Sequence, residues 1–233
     1  MPANFRHLSA FYAFLMFTGL IQDIGKIQSI DRRGEGIGLT ISTQLNLSHA
    51  KIGDSISVDG VCLTITKLSG RTFHAEVSPE TLRRTTLSNA REGQPVNLEG
   101  ALKMSDPLGG HLVSGHVDGT GEIMETVAEG NSILYRFWVP AEISRFLIEK
   151  GSVAVDGISL TVMECQGQEF SVSIIPHTAQ ATTLGKKKSG DRVNLENDLI
   201  AKYVEKFVHA REDLAGEKSR VDYTFLAKHG FLK

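Results

Sequence analysis

Thiol, hydroxyl and imidazole side chains occupy a few positions in this chain where they could bind a polar ligand or transfer protons. Two octapeptides, VDGVCLTI at residues 58–65 and VDGISLTV at residues 155–162, are identical at five of eight positions. A Gly-rich segment between them, GGHLVSGHVDGTG at residues 109–121, adds two imidazoles. Side chains of these types act as general acids and bases when a ligand lies within reach. The candidates are Cys62, Thr64, His111, His116, Ser159 and Thr161.

A structural interpretation competes with the chemical one for these residues. A free cysteine such as Cys62 is commonly a small buried residue of a strand. His111 and His116 flank a Gly-rich crossing, where a histidine bonded to the backbone is as common as a catalytic one. Ser159 and Thr161 could be hydroxyls at a turn or a sheet edge. At the level of single residues, both interpretations remain open.

An internal repeat places the candidates in two similar units. Residues 77–99 match residues 174–196 at ten of 23 positions without a gap. Near the start of the repeat, Thr18, Gly19, Gly25 and Ile27 correspond to Ser114, Gly115, Gly121 and Ile123, 96 residues later. Duplication is the economical explanation, and each copy of about a hundred residues is long enough for a modest core.

The hydrophobic pattern predicts the elements that carry these residues. Short runs of alternating apolar residues, separated by Gly-rich turns and not interleaved with long helices, are typical of closed antiparallel barrels. The predicted strands cover residues 17–29, 37–42, 56–68, 73–77, 94–102, 115–127, 132–139 and 155–162. Within the third of these, Asp59-Gly60 predicts a bulge or a tight turn.

Helices are predicted at four places outside the strands. Short helices are expected over residues 44–51 and 140–150, and another begins at Ser78 with proline in its first turn. An apolar stripe over residues 198–212 predicts a C-terminal helix with no counterpart in the first copy. The predicted fold is therefore mainly β, with two tandem, homologous six-stranded antiparallel Greek-key barrels, short helices and a C-terminal α-helix.

The same pattern suggests the domain boundaries. Residues 16–112 form the expected N-terminal barrel, residues 113–197 the C-terminal barrel, and residues 198–233 a helix and tail. Residues 1–15 are interpreted as an N-terminal extension, and Met16 as an alternative start. That extension lacks the long apolar segment and cleavage site of a signal peptide.

Composition narrows the class of protein. The 233 residues are 41% hydrophobic and 22% charged, with a formal net charge of −2, which indicates a globular protein without a nucleic-acid or membrane partner. The two cysteines, Cys62 and Cys165, are too few for a disulfide scaffold and too far apart for a local metal site. We therefore expect a cytoplasmic protein without a metal.

Two similar pockets related by a pseudo-twofold axis suit a reaction in which two like molecules face each other. The differences between the copies then become informative. Cys62 in the first copy corresponds to Ser159 in the second, and Leu20 corresponds to His116.

Five motifs, in order along the chain, resemble riboflavin synthases of the alpha-chain type. They are MFTGLIQDIGKI at residues 16–27, GVCLTIT at 60–66, GGHLVSGHVDGTG at 109–121, GISLTV at 157–162 and TTLGKKKSGDRVNLE at 182–196. The resemblance extends from Met16 to about Glu212.

This resemblance implies a dismutation of two 6,7-dimethyl-8-ribityllumazine molecules. One molecule donates a four-carbon unit to the other, which yields riboflavin and 5-amino-6-ribitylaminouracil without a metal or organic cofactor. The resemblance also implies a homotrimer held by the C-terminal helix, with each site between the N-terminal barrel of one subunit and the C-terminal barrel of a neighbour. Lumazine synthase is a candidate partner. The alternatives are a non-catalytic lumazine- or flavin-binding protein of the same fold, and a structural protein that uses the barrels as platforms.

By motif match, the resemblance also implies which residues form the site. The expected catalytic residues are Phe17, Cys62, His116, Ser159, Thr161 and Asp198. The expected substrate-binding residues are Gly19, Leu20, Ile21, Cys62, Leu63, Thr64, Glu76, Val77, Ser78, Pro79, Glu80, Thr81, His111, Gly115, His116, Val117, Lys150, Asp156, Ser159, Leu160, Thr161, Ile174, Ile175, Pro176, His177, Thr178 and Ala179.

Overall fold

Twelve strands in the described part of the chain close into two barrels of six. The computed structural model describes residues 16–216 and 223–231, without the side chains of Arg33 and residues 209–225. The extension predicted over residues 1–15 lies outside the described residues. Residues up to Asp198 form one compact unit that contains both barrels, and residues from Leu199 onward form another.

The first barrel has the strand order β1-β2-β5-β4-β3-β6 and is antiparallel throughout. Its strands are β1 (Asp23–Arg33), β2 (Gly36–Ser42), β3 (Ser55–Val58), β4 (Val61–Ser69), β5 (Thr72–Val77) and β6 (Pro95–Gly100). A short helix, α1 (Pro79–Arg84), connects β5 to β6 together with a 3₁₀ turn at Thr86–Asn89.

The second barrel repeats this order six strands later, as β7-β8-β11-β10-β9-β12. Its strands are β7 (Gly119–Glu129), β8 (Ser132–Trp138), β9 (Ser152–Val155), β10 (Ile158–Gln166), β11 (Glu169–Ile174) and β12 (Arg192–Asn197). The short helices are α2 (Ala141–Ser144) and α3 (Pro176–Ala181), with a 3₁₀ turn at Thr183–Lys186. The two-barrel prediction is confirmed.

Each barrel has its own apolar core, built by alternation along the strands. In β4, Val61, Leu63 and Ile65 are buried, whereas Thr64 between them is exposed. In β3 all four residues are buried, which is unusual for an alternating strand. One face of β3 contributes Ile56 and Val58 to the core, and its other face is covered as well.

The Asp59-Gly60 pair forms a tight turn between β3 and β4. Asp59 has φ 46° and Gly60 has φ 80°, the left-handed pair of a type I′ hairpin, and Asp156 and Gly157 repeat it between β9 and β10. Gly60 lies against Gly157, where an added Cβ would come within 2.6 Å of the Gly157 nitrogen. The two hairpins therefore meet at their turns, with equivalent residues in contact.

Two predicted strands begin later than expected. The first was expected from Phe17 and the sixth from Gly115, but β1 begins at Asp23 and β7 at Gly119. Phe17 instead forms an isolated bridge with Val113. The residues before each strand pair across the two barrels, a long-range contact that local alternation cannot show.

Two predicted helices are also shorter than expected. Only Ala141–Ser144 is α-helical within residues 140–150, and Lys150 adopts φ 62°, which ends the segment in a turn. Within residues 44–51 only Leu47–His49 is helical, as a 3₁₀ turn. The helix beginning after Ser78 is confirmed, and so is the C-terminal helix, observed as α4 (Leu199–Gly216). A further short helix, α5 (Tyr223–Lys228), lies in the tail.

Candidate functional site

Four of the predicted site residues, Phe17, Cys62, His111 and Ser159, lie around a pseudo-twofold seam between the barrels. Phe17 and Val113, equivalent in the two copies, exchange backbone hydrogen bonds of 2.7 and 3.1 Å. Both side chains are fully buried and pack with Ala154 and the half-buried Cys62. A pairing of a residue with its own counterpart indicates that the pseudo-twofold axis passes through this point. The side chain of Phe17, one of the predicted catalytic residues, therefore packs within the seam.

Ser159 lies on the C-terminal side of this seam, next to a histidine. Its backbone N–H donates to the carbonyl of Gly19 at 2.8 Å, and its Oγ hydrogen-bonds to Nδ1 of His111 at 2.7 Å. The backbone N–H of His111 donates to the Thr18 carbonyl at 3.2 Å. Ser159 is therefore held from two sides: Gly19 of the N-terminal segment contacts its backbone, and His111 of the Gly-rich crossing contacts its side chain.

Burial lowers the pKa of His111 below its ordinary value, and the nearby Asp198 carboxylate only partly opposes this. The imidazole is therefore neutral near pH 7 and can exchange a proton with the Ser159 hydroxyl. Its Nε2 is buried and has no hydrogen-bond partner within the described part of the chain. Among the described residues, the imidazole ring is therefore held by one hydrogen bond, from Nδ1 to the Ser159 hydroxyl.

Cys62 occupies the equivalent position in the first barrel. Its backbone N–H donates to the carbonyl of Gly115 at 2.9 Å, as that of Ser159 does to Gly19. Burial raises the pKa of the Cys62 thiol, Ser55 opposes the rise, and the Glu196 carboxylate adds to it. Cys62 is therefore a neutral thiol near pH 7, suited to hydrogen bonding more than to nucleophilic attack.

Glycine is required at positions 19 and 115, because the backbone there approaches the other barrel closely. They have φ 76° and 78°, in the left-handed region that glycine tolerates. A Cβ on Gly19 would lie 2.7 Å from the Ser159 nitrogen, and one on Gly115 would lie 2.8 Å from the Cys62 nitrogen. No other residue type allows these two crossings.

The two halves differ at the predicted positions Leu20 and His116. Each backbone N–H donates to the side-chain oxygen two residues earlier, at 3.2 Å for Leu20 and 3.3 Å for His116. Both side chains are exposed. Neither residue is in a strand, contrary to the prediction. The two residues do occupy equivalent backbone positions, as predicted, and they differ in side chain. Ile21 and Val117, one residue further along, are half-buried and pack against the second and the first core respectively.

The segment between β5 and α1 lines an open cavity of about 390 Å³. Ser78 caps α1 by accepting a hydrogen bond from the Thr81 N–H at 3.1 Å. Glu80 is exposed and forms ion pairs with Arg83 and Arg84. Of the predicted residues 76–81, Glu76, Val77, Ser78 and Pro79 line the cavity, together with Gly36, Ile37, Gly38 and His74.

The counterpart in the second barrel lacks the serine cap. Ile175 precedes α3 without a side-chain hydrogen bond and is 56% exposed. Pro176 and His177 are exposed, and Thr178 and Ala179 are half-buried. This segment therefore presents an apolar and imidazole surface where the first barrel presents a hydroxyl and a carboxylate.

The side chains of several predicted residues belong to the barrel cores. The side chains of Leu63, Val77, Leu160 and Ile174 are in the two cores. By contrast Thr64 and Thr161, which alternate with the leucines, are exposed. Lys150 is exposed at the end of its turn.

Asp156 is fully buried and is tied to a charged cluster at the hairpin turns. Its carboxylate accepts the Asn194 backbone N–H at 2.7 Å and lies 2.6 Å from Nζ of Lys187. The equivalent Asp59 accepts the Asn97 N–H at 2.7 Å. Burial lowers the pKa of Lys187, but the Asp156 and Asp59 carboxylates more than offset this and raise it. Asp156 contacts the first barrel through its carbonyl, which accepts a hydrogen bond from the Asn97 side-chain amide at 3.0 Å.

Two buried glutamates were not among the predicted site residues. Glu99 accepts hydrogen bonds from the backbone N–H and hydroxyl of Thr18, both at 2.7 Å, and from the Gly19 N–H at 3.0 Å. Glu196 makes the same three contacts with Ser114 and Gly115. The available signal was the tetrapeptide VNLE, which ends both copies unchanged.

Among the described residues, no group of three or more His, Cys, Asp or Glu side chains is arranged to hold a metal ion. In the same part of the chain, no helix combines the length and apolar character needed to cross a bilayer.

Comparison with known proteins identifies close relatives. A family model described as the lumazine binding domain matches this chain twice, over residues 18–101 and 114–198. A riboflavin synthase from Actinobacillus pleuropneumoniae is 47% identical over 216 residues, which is 93% of this chain and all of that relative. A riboflavin synthase from Bacillus subtilis is 38% identical with the same coverage.

A solved structure has the same fold. It is that of LumP complexed with 6,7-dimethyl-8-(1′-D-ribityl) lumazine, with a TM-score of 0.70 and 22% sequence identity. The similarity covers 78% of this chain and 99% of that chain.

Proposed function

The chain belongs to the riboflavin synthase family, and we propose that its two barrels each supply half of a site that joins two 6,7-dimethyl-8-ribityllumazine molecules. One molecule donates four carbons to the other, which gives riboflavin and 5-amino-6-ribitylaminouracil. The observation that carries the assignment of residues is the exchange across the seam, in which Gly19 holds Ser159 and Gly115 holds Cys62.

Cys62, Thr64 and the 76–81 segment form the half-site of the N-terminal barrel. His111, His116, Ser159, Thr161 and the 174–179 segment form the half-site of the C-terminal barrel. Two like substrates bound to related half-sites would be held in opposite orientations, which is the arrangement that a transfer between two identical rings needs. Most of the rate then comes from orientation.

The two half-sites differ in the proton chemistry they can perform. The neutral His111–Ser159 pair can remove a proton from an acidic methyl group of a bound lumazine and return it later. The neutral Cys62 thiol can donate a hydrogen bond to a ring atom but is a poor nucleophile near pH 7. We therefore assign the proton-transfer role to the C-terminal barrel.

A direct assay tests the proposed reaction. Purified protein mixed with 6,7-dimethyl-8-ribityllumazine, without an added cofactor, is expected to develop flavin absorbance with half as many moles of riboflavin formed as lumazine consumed. Tight binding without turnover would favour the alternative of a non-catalytic lumazine-binding protein. Retention of the Asp-Gly-x-(Cys/Ser)-Leu-Thr pattern in both copies favours the enzyme.

Two substitutions test the assigned residues. Ser159→Ala and His116→Ala are expected to lower kcat by at least about tenfold, the lower end of general acid–base contributions. Ser132→Ala and His49→Ala, at exposed or half-buried positions outside the two half-sites, are the matched controls. Full activity of a folded Ser159→Ala variant would remove that residue from the mechanism.

We also propose that the chain assembles as a homotrimer through α4, which brings the N-terminal half-site of one subunit to the C-terminal half-site of a neighbour. In support, α4 carries an exposed apolar stripe that includes Tyr203 at 56%, Val204 at 55% and Phe207 at 71% exposure. Light scattering should give three times the chain mass. Phe207→Glu is expected to dissociate the assembly, whereas Lys206→Glu, the adjacent control, should not.

Three further properties are proposed from the family resemblance. The domains are residues 16–112, 113–197 and 198–233, the compartment is the cytoplasm, and lumazine synthase is a partner. The two free cysteines are consistent with a reducing compartment. Co-sedimentation of the two purified enzymes tests the partner.

A further inference from the structure

Glu99 is the first member of a chain of hydrogen bonds that crosses from one barrel to the other. It lies on β6 of the first barrel and is 2% exposed. Its Oε1 accepts the N–H and hydroxyl of Thr18, and its Oε2 accepts the N–H of Gly19. These contacts fix the two peptide units that precede Gly19, and the Gly19 carbonyl accepts the N–H of Ser159 in the second barrel at 2.8 Å.

Glu196 on β12 begins the opposite chain of contacts. It is 3% exposed, and it accepts the N–H and hydroxyl of Ser114 at 2.7 and 2.6 Å and the N–H of Gly115 at 2.9 Å. The Gly115 carbonyl then accepts the N–H of Cys62 in the first barrel at 2.9 Å. Glu99 of the first barrel is therefore connected to Ser159 on β10 of the second barrel. Glu196 of the second barrel is connected in the same way to Cys62 on β4 of the first.

A carboxylate suits this position better than any neutral side chain. Its two oxygens accept hydrogen bonds and offer no donor, so three converging N–H and O–H groups are satisfied at once. A glutamine of the same shape would direct an NH₂ group toward one or more of these donors. Burial raises the pKa of Glu99 above its ordinary value, and the hydrogen bonds that its carboxylate accepts from Thr18, Gly19 and Leu20 oppose that rise.

We propose that Glu99 and Glu196 are positioning residues that set the placement of Ser159 and Cys62 across the seam. The inference rests on the proposed function, because it assumes that these two residues lie in the half-sites. It predicts a crossed effect, in which loss of Glu99 disturbs the half-site of the C-terminal barrel and loss of Glu196 that of the N-terminal barrel.

The first measurement is steady-state kinetics of Glu99→Gln and Glu196→Gln. Both are expected to lose about tenfold to hundredfold in kcat, with a smaller change in KM, because misplacement of reacting groups affects the chemical step most. Glu129→Gln, at the exposed end of β7, is the control and should be unchanged. Folded variants of both glutamates within twofold of the parent kcat would overturn the proposal.

The second measurement is independent of turnover. In a Cys165→Ser background, the pH dependence of iodoacetamide alkylation reports the pKa of the Cys62 thiol. Removal of the Glu196 charge is expected to lower this pKa, because that carboxylate raises it, whereas Glu99→Gln should leave it unchanged. An equal effect of the two variants on Cys62 would indicate general loosening of the seam and would refute the crossed assignment.

A milder variant covers the case in which a glutamine variant does not fold. Ser114→Ala removes one of the three donors to Glu196 and leaves the charge in place. A smaller loss of kcat is expected than for Glu196→Gln, and unchanged activity would contradict the proposal. If the parent protein lacks turnover but the alkylation profiles differ as described, the positioning contacts stand and the proposed reaction fails.

Discussion

Replacement of Asp59 by asparagine is expected to stabilise the protein at neutral and alkaline pH, with a smaller effect in mild acid. Asp59 and Asp156 are 3% and 0% exposed, and both interact with a single ammonium group, that of Lys187. The ammonium lies 2.6 Å from Asp156. The residue equivalent to Lys187 in the first copy is Ala90, so the second carboxylate has no cation of its own at the corresponding position.

The pKa of Asp59 is the quantity that sets the effect. Burial and the Asp156 charge raise it from 3.8 to about 8, against the opposing effects of Lys187 and the Asn97 N–H. The folded protein therefore binds a proton that the unfolded chain releases above pH 3.8. This contribution to stability is fully present below pH 3.8 and is lost as the pH rises toward 8, by at most about 6 kcal/mol at 1.36 kcal/mol per pKa unit.

The remaining charged groups near Asp59 face an open cavity of about 520 Å³, where solvent and salt screen them. Their individual effects on the titration are therefore smaller than those of the two buried partners. They are Arg83, Arg91, Lys186, Asp191 and Arg192.

Asparagine can replace Asp59 without strain in the turn. Asp59 has φ 46°, a conformation that asparagine also tolerates, and Asn-Gly is the preferred type I′ pair. The amide oxygen can accept the Asn97 N–H that Oδ1 now accepts. The neutral amide then replaces a carboxyl group that is protonated below pH 8.

Urea unfolding between pH 5 and pH 9 checks this expectation. Stability of the parent should fall relative to Asp59→Asn as the pH rises, by up to about 1.6 kcal/mol at pH 5 and up to about 6 kcal/mol at pH 9, so that the difference between the two proteins grows by up to about 4 kcal/mol over this range. Asp156→Asn is the matched comparison, and it should destabilise by about 3 kcal/mol because Lys187 loses its closest partner. Parallel pH profiles of the parent and Asp59→Asn would refute the reasoning.

Two other outcomes follow from the contacts at the seam. Gly115→Ala is expected to lower the free energy of unfolding by about 2 kcal/mol or more, because the residue has φ 78° and the new Cβ would lie 2.5 Å from Cβ of Cys62. A loss below about 0.5 kcal/mol in urea unfolding would contradict this close approach. The pH profile of kcat/KM should show an acid limb below pH 6.5, where His111 becomes protonated, and His111→Gln should abolish that limb along with most of the activity. Persistence of the limb in His111→Gln would assign it to another group.

The strands and turns of the barrels were predictable because their causes are local. The buried residues Val61, Leu63 and Ile65 alternate with less buried ones along β4, and the Asp59-Gly60 pair favours a type I′ turn. The errors occurred where a contact with the other barrel replaced the local pattern. Phe17 has the residue type of a strand, yet its hydrogen bonds go to Val113 and not to a neighbouring ladder.

The sequence by itself determined the duplication, the barrel class, the family, and the candidate residues Cys62, His111 and Ser159. Only the tertiary structure decided that the Gly19 and Gly115 carbonyls accept hydrogen bonds from Ser159 and Cys62 of the opposite barrel, and that Glu99 and Glu196 accept the N–H groups of those glycines. The physical reason is that periodicity and turn propensity act over a few residues. Hydrogen bonds at the seam join positions about 50 to 140 residues apart, and these contacts exist only once both barrels have closed.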